Sequence, residues 1–111
     1  MNRKETICAI ATAPGSGAIA VIRLSGSNAF TICDTFFSAA GQNKKVSNLT
    51  SYPAVCYGTI CEKERIIDEV LVSVFKAPRS YTGENTVEIS CHGSLFIQQR
   101  LLKLFTENGA R

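Results

Sequence analysis

The sequence predicts an α+β fold, a mixed β-sheet packed with helices in a single domain. Three observations predict it. The chain has 111 residues, the length of one ordinary domain. Hydrophobic residues make up 45% of it, enough to build a core and too many for a disordered chain. Apolar residues alternate between two-residue and helical spacing, giving the order β-β-α-β-β-β-α.

Each element has a local reason. Residues 7–13 (Ile-Cys-Ala-Ile-Ala-Thr-Ala) form the first strand, and Pro14-Gly15-Ser16-Gly17 a turn. The β-branched, apolar run 18–24 is the second strand. Ser25-Gly26-Ser27 offers an N-cap for an amphipathic helix over 28–37, where Ala29, Phe30, Ile32, Cys33, Phe36 and Phe37 share a face. The polar stretch 38–51 reads as a surface loop. Strands at 54–61 and 66–75 follow, with Glu62-Lys63-Glu64-Arg65 as an exposed hairpin tip. Val70, Leu71, Val72, Val74 and Phe75 are apolar on both faces, as in a central strand. Residues 76–83 are an irregular loop. The strand at 85–91 turns Val87, Ile89 and Cys91 inward and Thr86, Glu88 and Ser90 to the other face. Gly93-Ser94 opens a helix through Phe105, which Asn108-Gly109 ends. A further strand is expected after Arg111, so residues 1–111 read as one N-terminal domain of a longer chain.

Composition narrows the function. The net charge is +3, too small and too dispersed for a nucleic-acid stripe. No run of about 18 apolar residues crosses a membrane, and the eight residues after the charged N-terminus are too short for a signal peptide, so a cytoplasmic chain is expected. Cysteines stand at 8, 33, 56, 61 and 91, without a CxxC and with a single histidine, so free structural thiols are expected and no metal site. The length leaves no room for most complete nucleotide-handling enzymes, and no P-loop G-x-x-x-x-G-K-[ST] occurs.

Several residues can carry chemistry. Gly15-Ser16-Gly17-Ala18-Ile19-Ala20 matches G-x-G-x-x-A, but it leads into a strand instead of the helix a dinucleotide site needs, so it reads as a glycine-rich turn. Arg23 is the one charge in an apolar strand. Its guanidinium needs a carboxylate, a carbonyl, an anionic ligand or water. Glu88, Ser90 and His92 share a strand face. A carboxylate such as Glu88 can accept two parallel N–H bonds, from Arg23 or from an aminopyrimidine ring, unless it is simply solvated. His92 lies at a strand-to-helix junction, where packing or hydrogen bonding is a fuller account than catalysis. The loop around Tyr81, Thr82 and Gly83 combines an aromatic, hydroxyls and a tight turn, and can border a ligand or merely connect.

Thr6-Ile7-x-Ala9-Ile10-Ala11-Thr12-x-Pro14-Gly15 with Ile22-Arg23-Leu24-Ser25-Gly26 resembles the start of the bacterial tRNA-modification GTPase family MnmE/TrmE. Ala77-Pro78-x-Ser80-Tyr81-Thr82-Gly83-Glu84-x-x-Val87-Glu88-Ile89-x-Cys91-His92-Gly93 resembles a second signature of that family, in the right order and spacing. The resemblance covers nearly the whole chain. Departures are local: Gly15-Ser16-Gly17-Ala18 for the usual Gly-Arg-Gly-Gly, His92-Gly93-Ser94 for His-Gly-Gly, and Glu84-Asn85 for two acids. They bear on the shape of the turn and pocket.

The resemblance implies an N-terminal domain similar to the folate-binding domain of the glycine-cleavage T-protein. It implies binding of 5-formyl- or 5,10-methylenetetrahydrofolate and a homodimer. Arg23 and Glu88 fall on the family's folate contacts. A third contact, a lysine, would lie beyond Arg111. His92, Tyr81 and Thr82 are further pocket candidates without an assigned role, and no catalytic residue is assigned. The family's full-length protein is a GTP hydrolase, using GTP, Mg2+ and K+ in a domain absent from this sequence. With an FAD-dependent partner, MnmG (GidA), it installs an aminomethyl-type group at C5 of the tRNA wobble uridine. Two other readings stand beside this: a purely structural dimerisation module, and a standalone aminomethyltransferase-like enzyme.

Overall fold

A computed structural model describes residues 5–12, 15, 17–41 and 45–111. The strands are β1 (Ile7–Ile10), β2 (Ile19–Ser25), β3 (Phe37–Ala39), β4 (Ala54–Glu62), β5 (Arg65–Phe75) and β6 (Thr86–His92). The helices are α1 (Ala29–Phe36) and α2 (Leu95–Thr106), with one 3-10 turn at Val46–Asn48. The α+β class expected from the sequence is the class observed. The last residue of the expected first strand (Ala13), parts of the expected turn (Pro14 and Ser16) and part of the polar loop (residues 42–44) lie outside the described residues.

The strands form one six-stranded sheet in the order β1-β2-β6-β5-β4-β3, and every neighbouring pair is antiparallel. The sheet is therefore less mixed than the sequence suggested. The helix α1 does join two strands of like direction, β2 and β3. They sit at positions two and six of the order, so this crossover creates no parallel ladder. The parallel element among the described residues is a single bridge, Thr6 to Ala110. It is fixed by Arg111 N donating to Thr6 O and Cys8 N donating to Arg111 O, both at 2.8 Å.

Alternation along the strands separates two faces. Ile22, Leu24, Val72, Val74, Val87 and Ile89 are fully buried on one, together with Leu101 and Phe105 of α2 and Ala29 and Cys33 of α1. Each of the Val, Ile, Leu and Phe side chains among them contributes roughly 1.5–3 kcal/mol on leaving water. The other face is not covered by helices. Along β6 it carries Glu88, Ser90 and the exposed His92, and along β5 the half-exposed Leu71.

Local chemistry sets the ends. The Ser94 hydroxyl caps α2 by accepting from Ile97 N at 3.1 Å. The expected cap from Ser25–Ser27 is replaced. The N-cap residue of α1 is Asn28, whose own N–H donates to Thr6 Oγ1 at 2.9 Å. Gly26 makes this possible: its φ is +140°, and a Cβ there would sit 2.7 Å from Thr6 Cα. The polar stretch holds more structure than expected. Asp34 accepts from Val46 N at 2.6 Å and Ser47 N at 3.2 Å, which anchors the 3-10 turn to α1. The strand β3 was hidden because it begins at the residue after α1, inside the helical apolar spacing.

Candidate functional site

Arg23 of β2 and Glu88 of β6 stand directly opposite each other in the antiparallel register. Both point to the uncovered face, because their neighbours Ile22, Leu24, Val87 and Ile89 take the core side. Arg23 Nε donates to Glu88 Oε2 at 2.8 Å, and Nη2 approaches the same oxygen at 2.7 Å. Both side chains are about a quarter exposed. Two donors on one oxygen leave Glu88 Oε1 with no hydrogen-bond partner among the described residues. Arg23 Nη1 is likewise open on the guanidinium's outer edge.

The loop between β5 and β6 closes over this pair. The Tyr81 ring lies 5.0 Å from the Arg23 guanidinium carbon and is itself largely exposed. Such a contact is worth about 0.5–1 kcal/mol at an exposed site. Beneath it, the Thr82 hydroxyl meets Ser25 Oγ at 2.7 Å and Thr86 Oγ1 at 3.0 Å. Thr86 also donates to Glu84 O at 3.0 Å. These hydroxyls explain why Thr86, on the uncovered face of β6, is fully buried. Thr82 thus anchors the loop, while Tyr81 is the side chain placed beside the charges.

His92 is not brought to this group. It pairs with Ile19, four residues along β2 from Arg23, so it lies about 13 Å away along the sheet. Its partner is Asp68, which takes the His92 backbone N–H at 2.8 Å and ring Nδ1 at 2.6 Å. Sequence reasoning missed Asp68. Its signal was a lone carboxylate at the buried parity of an apolar strand, between Ile66 and Val70.

From Gly17 onward the glycine-rich segment leads into β2, not into a helix. Gly17 N donates to Gly93 O at 3.0 Å and Gly93 N to Ala18 O at 3.2 Å. The buried Gln98 of α2 donates to Gly15 O and Gly93 O, at 3.1 and 3.0 Å. Its amide ties the turn, the end of β6 and α2 together.

The cysteines are all unpaired. Burial pushes the Cys8 thiol up to about 12 and Cys91 to about 11, and Cys33 higher still. Buried protonated thiols of this kind are poor nucleophiles and poor ligands. Among the described residues no group of three or more His, Cys, Asp or Glu side chains could hold a metal ion. No helix of the described residues is long and apolar enough to cross a membrane.

Comparison with known proteins gives one consistent family. Residues 6–111 match the family described as GTP-binding protein TrmE N-terminus. The tRNA modification GTPase MnmE of Parabacteroides distasonis is 50% identical over 108 residues, which cover 96% of this chain and 23% of that protein. The protein of that name from Bacteroides fragilis is 50% identical over 111 residues, and that from Flavobacterium johnsoniae 46% over 111. Each covers 100% of this chain and 23% of the relative. The chain thus spans about a quarter of the length of the curated relatives it matches.

Proposed function

Because this chain belongs to the TrmE N-terminal family, we propose that it is the folate-binding and dimerising region of a tRNA-modification GTPase. The ligand in this reading is 5-formyl- or 5,10-methylenetetrahydrofolate. The observation that carries it is the half-satisfied carboxylate of Glu88: Oε2 holds Arg23, Oε1 takes no partner among the described residues, and the Tyr81 ring covers the Arg23 guanidinium. A pterin offers an amino group and ring N–H groups to such an acceptor, and its carbonyl suits the open edge of Arg23. Tyr81 supplies an aromatic face against which a flat ring can stack. Thr82 holds the loop that presents it. The resemblance adds a lysine from beyond Arg111.

In the whole protein, this region would serve a GTP-hydrolysing domain that uses Mg2+ and K+. With the FAD-dependent partner MnmG, that protein would modify C5 of the wobble uridine. The apolar side chain of Val55, left exposed on β4, supports self-association into a homodimer. The relatives' names, which are those of tRNA modification GTPases, support a cytoplasmic location in this reading.

Calorimetric titration with 5-formyltetrahydrofolate tests the reading. Binding should be seen with the wild type and lost in Arg23→Ala and Glu88→Ala. Absence of binding in a longer chain that includes the following lysine would refute it. A specific observation favours a second reading: Arg23 and Glu88 already satisfy part of each other, as a purely structural cross-strand pair would. A dimer by sedimentation with no folate binding in the longer chain would establish that alternative.

A further inference from the structure

The Asp68–His92 pair has no part in the reading above, and its chemistry is well defined. Asp68 lies at the buried parity of β5, with its side chain 8% exposed. A carboxylate only accepts, so Nδ1 of His92 carries the proton it shares with Asp68 Oδ1 at 2.6 Å. In the neutral ring, Nε2 is then an acceptor. The ring is 70% exposed, and it borders a concavity of about 290 Å3 on the uncovered sheet face.

The floor of that concavity is apolar, from Ile19 and Leu71. Its polar lining includes His92 and Glu69, which offer Nε2 and a carboxylate as acceptors, together with Ser90. Glu69 Oε1 takes the Tyr57 hydroxyl at 3.1 Å, which leaves the second oxygen of the carboxylate as a further acceptor. The histidine is held from behind as well. Gly93 is locked to Gly17 and Ala18 by two backbone hydrogen bonds, and Gln98 fastens the same segment. An anion is repelled here by Glu69 and Asp68. A purely apolar molecule leaves the acceptors unpaired, which costs binding. A flat ring with N–H donors at its edge meets both demands.

We propose that the Asp68–His92 concavity is a second binding site, separate from Arg23–Glu88, for a planar nitrogen heterocycle that presents an imide or lactam N–H to His92 Nε2. An RNA base and a pterin ring share that chemistry. The proposal goes beyond the folate reading and does not need it.

His92 is the one histidine in the sequence, so its ring nitrogens are assigned without ambiguity in a long-range proton–nitrogen spectrum of the full chain. The probes are uridine, 3-methyluridine (which lacks the imide proton) and 5-formyltetrahydrofolate, each at millimolar concentration. The free protein should show a pyrrole-like Nδ1 and a pyridine-like Nε2. Uridine should shift Nε2 saturably and 3-methyluridine should not. Asp68→Asn should turn the tautomer over, so that Nε2 becomes pyrrole-like and the preference for uridine disappears. If that variant does not fold, His92→Gln at the exposed ring keeps the test open and should weaken uridine binding about tenfold. A folate-induced shift that persists in Glu88→Ala makes a pterin the source; a shift with uridine alone makes it an RNA base. The proposal is overturned if no probe moves Nε2, or if uridine and 3-methyluridine move it equally. It is also overturned if the folate response vanishes in Glu88→Ala, since the concavity would then be the far end of the first site. Folate binding by calorimetry with a silent His92 would sink this site and spare the first.

Discussion

Gly93→Ala should destabilise the domain far more than one methyl group suggests. A Cβ at Gly93 would lie 2.2 Å from Gly17 O, 2.6 Å from Gly17 C and 3.1 Å from Ile19 N. Optimal contacts between such atoms are about 3.5–4.0 Å, so the turn must retreat by roughly 1 Å or more. All three atoms are backbone, so no side chain can swing aside. The retreat strains the bonds Gly17 N to Gly93 O and Gly93 N to Ala18 O. Because nothing in the way can swing aside, overpacking costs about 3 kcal/mol, the top of its usual range, and each of the two weakened hydrogen bonds adds up to about 1 kcal/mol. The expected loss is therefore about 3–5 kcal/mol. At about 4–8 °C per kcal/mol for a domain near this size, Tm should fall by about 12 °C or more. Gly83→Ala is the control. Its φ is +83°, and nothing lies within 4 Å of the added Cβ. That change carries only the left-handed backbone cost, about 1–2 kcal/mol. Thermal unfolding followed by circular dichroism compares the two. If Gly93→Ala is no worse than Gly83→Ala, the close packing of the β6–α2 junction on the glycine turn is wrong.

Other outcomes follow from the same structure. Gln98→Leu removes both donors to Gly15 O and Gly93 O from a fully packed position; urea unfolding should show a loss of about 1–3 kcal/mol. Phe105→Ala removes a fully buried ring set edge-on to Phe36 at 6.3 Å, and should cost about 3–5 kcal/mol by the same measurement. Burial raises the Cys8 and Cys91 thiols to about 12 and about 11 from 9.0. The unfolded chain therefore loses these protons first as pH rises, so their contribution is intact below pH 9 and is lost between there and about 11–12. The urea midpoint should fall from pH 8 to pH 10.5, and less so in Cys8→Ala. A thiol reagent should label Cys56 and Cys61 in the native protein well before Cys8, Cys33 and Cys91, as mass spectrometry of digests can show.

Local periodicity made most of the fold legible. Val87, Ile89 and Cys91 alternate strictly with Glu88 and Ser90, and the structure buries the first set. The same alternation put Arg23 and Glu88 on one side of their strands. That they face each other depends on β2 pairing with β6, a contact between residues 65 apart, which no window of sequence reports. His92 illustrates the other limit. It shares the face of Glu88, yet its role is set by Asp68 on a neighbouring strand. The spacing of His92 within its own strand carries no trace of that carboxylate. The structure in the polar stretch was invisible for a similar reason, since Asp34 supplies the hydrogen bonds that hold the 3-10 turn.

The sheet order also has a consequence in time. The β4–β5 hairpin joins strands that are neighbours in the chain, so it can form as soon as it leaves the ribosome. The strand β2 can pair early on its outer edge with β1, but its inner edge must wait for β6. At about 5–20 residues per second, the 65 residues between Arg23 and Glu88 mean a wait of about 3–13 s. For that interval Ile22 and Leu24 have no complete core to enter, and the edge of β2 that will meet β6 stays open. The nascent N-terminal segment is thus the part of this molecule most in need of protection during synthesis, although Ile22 and Leu24 end up fully buried.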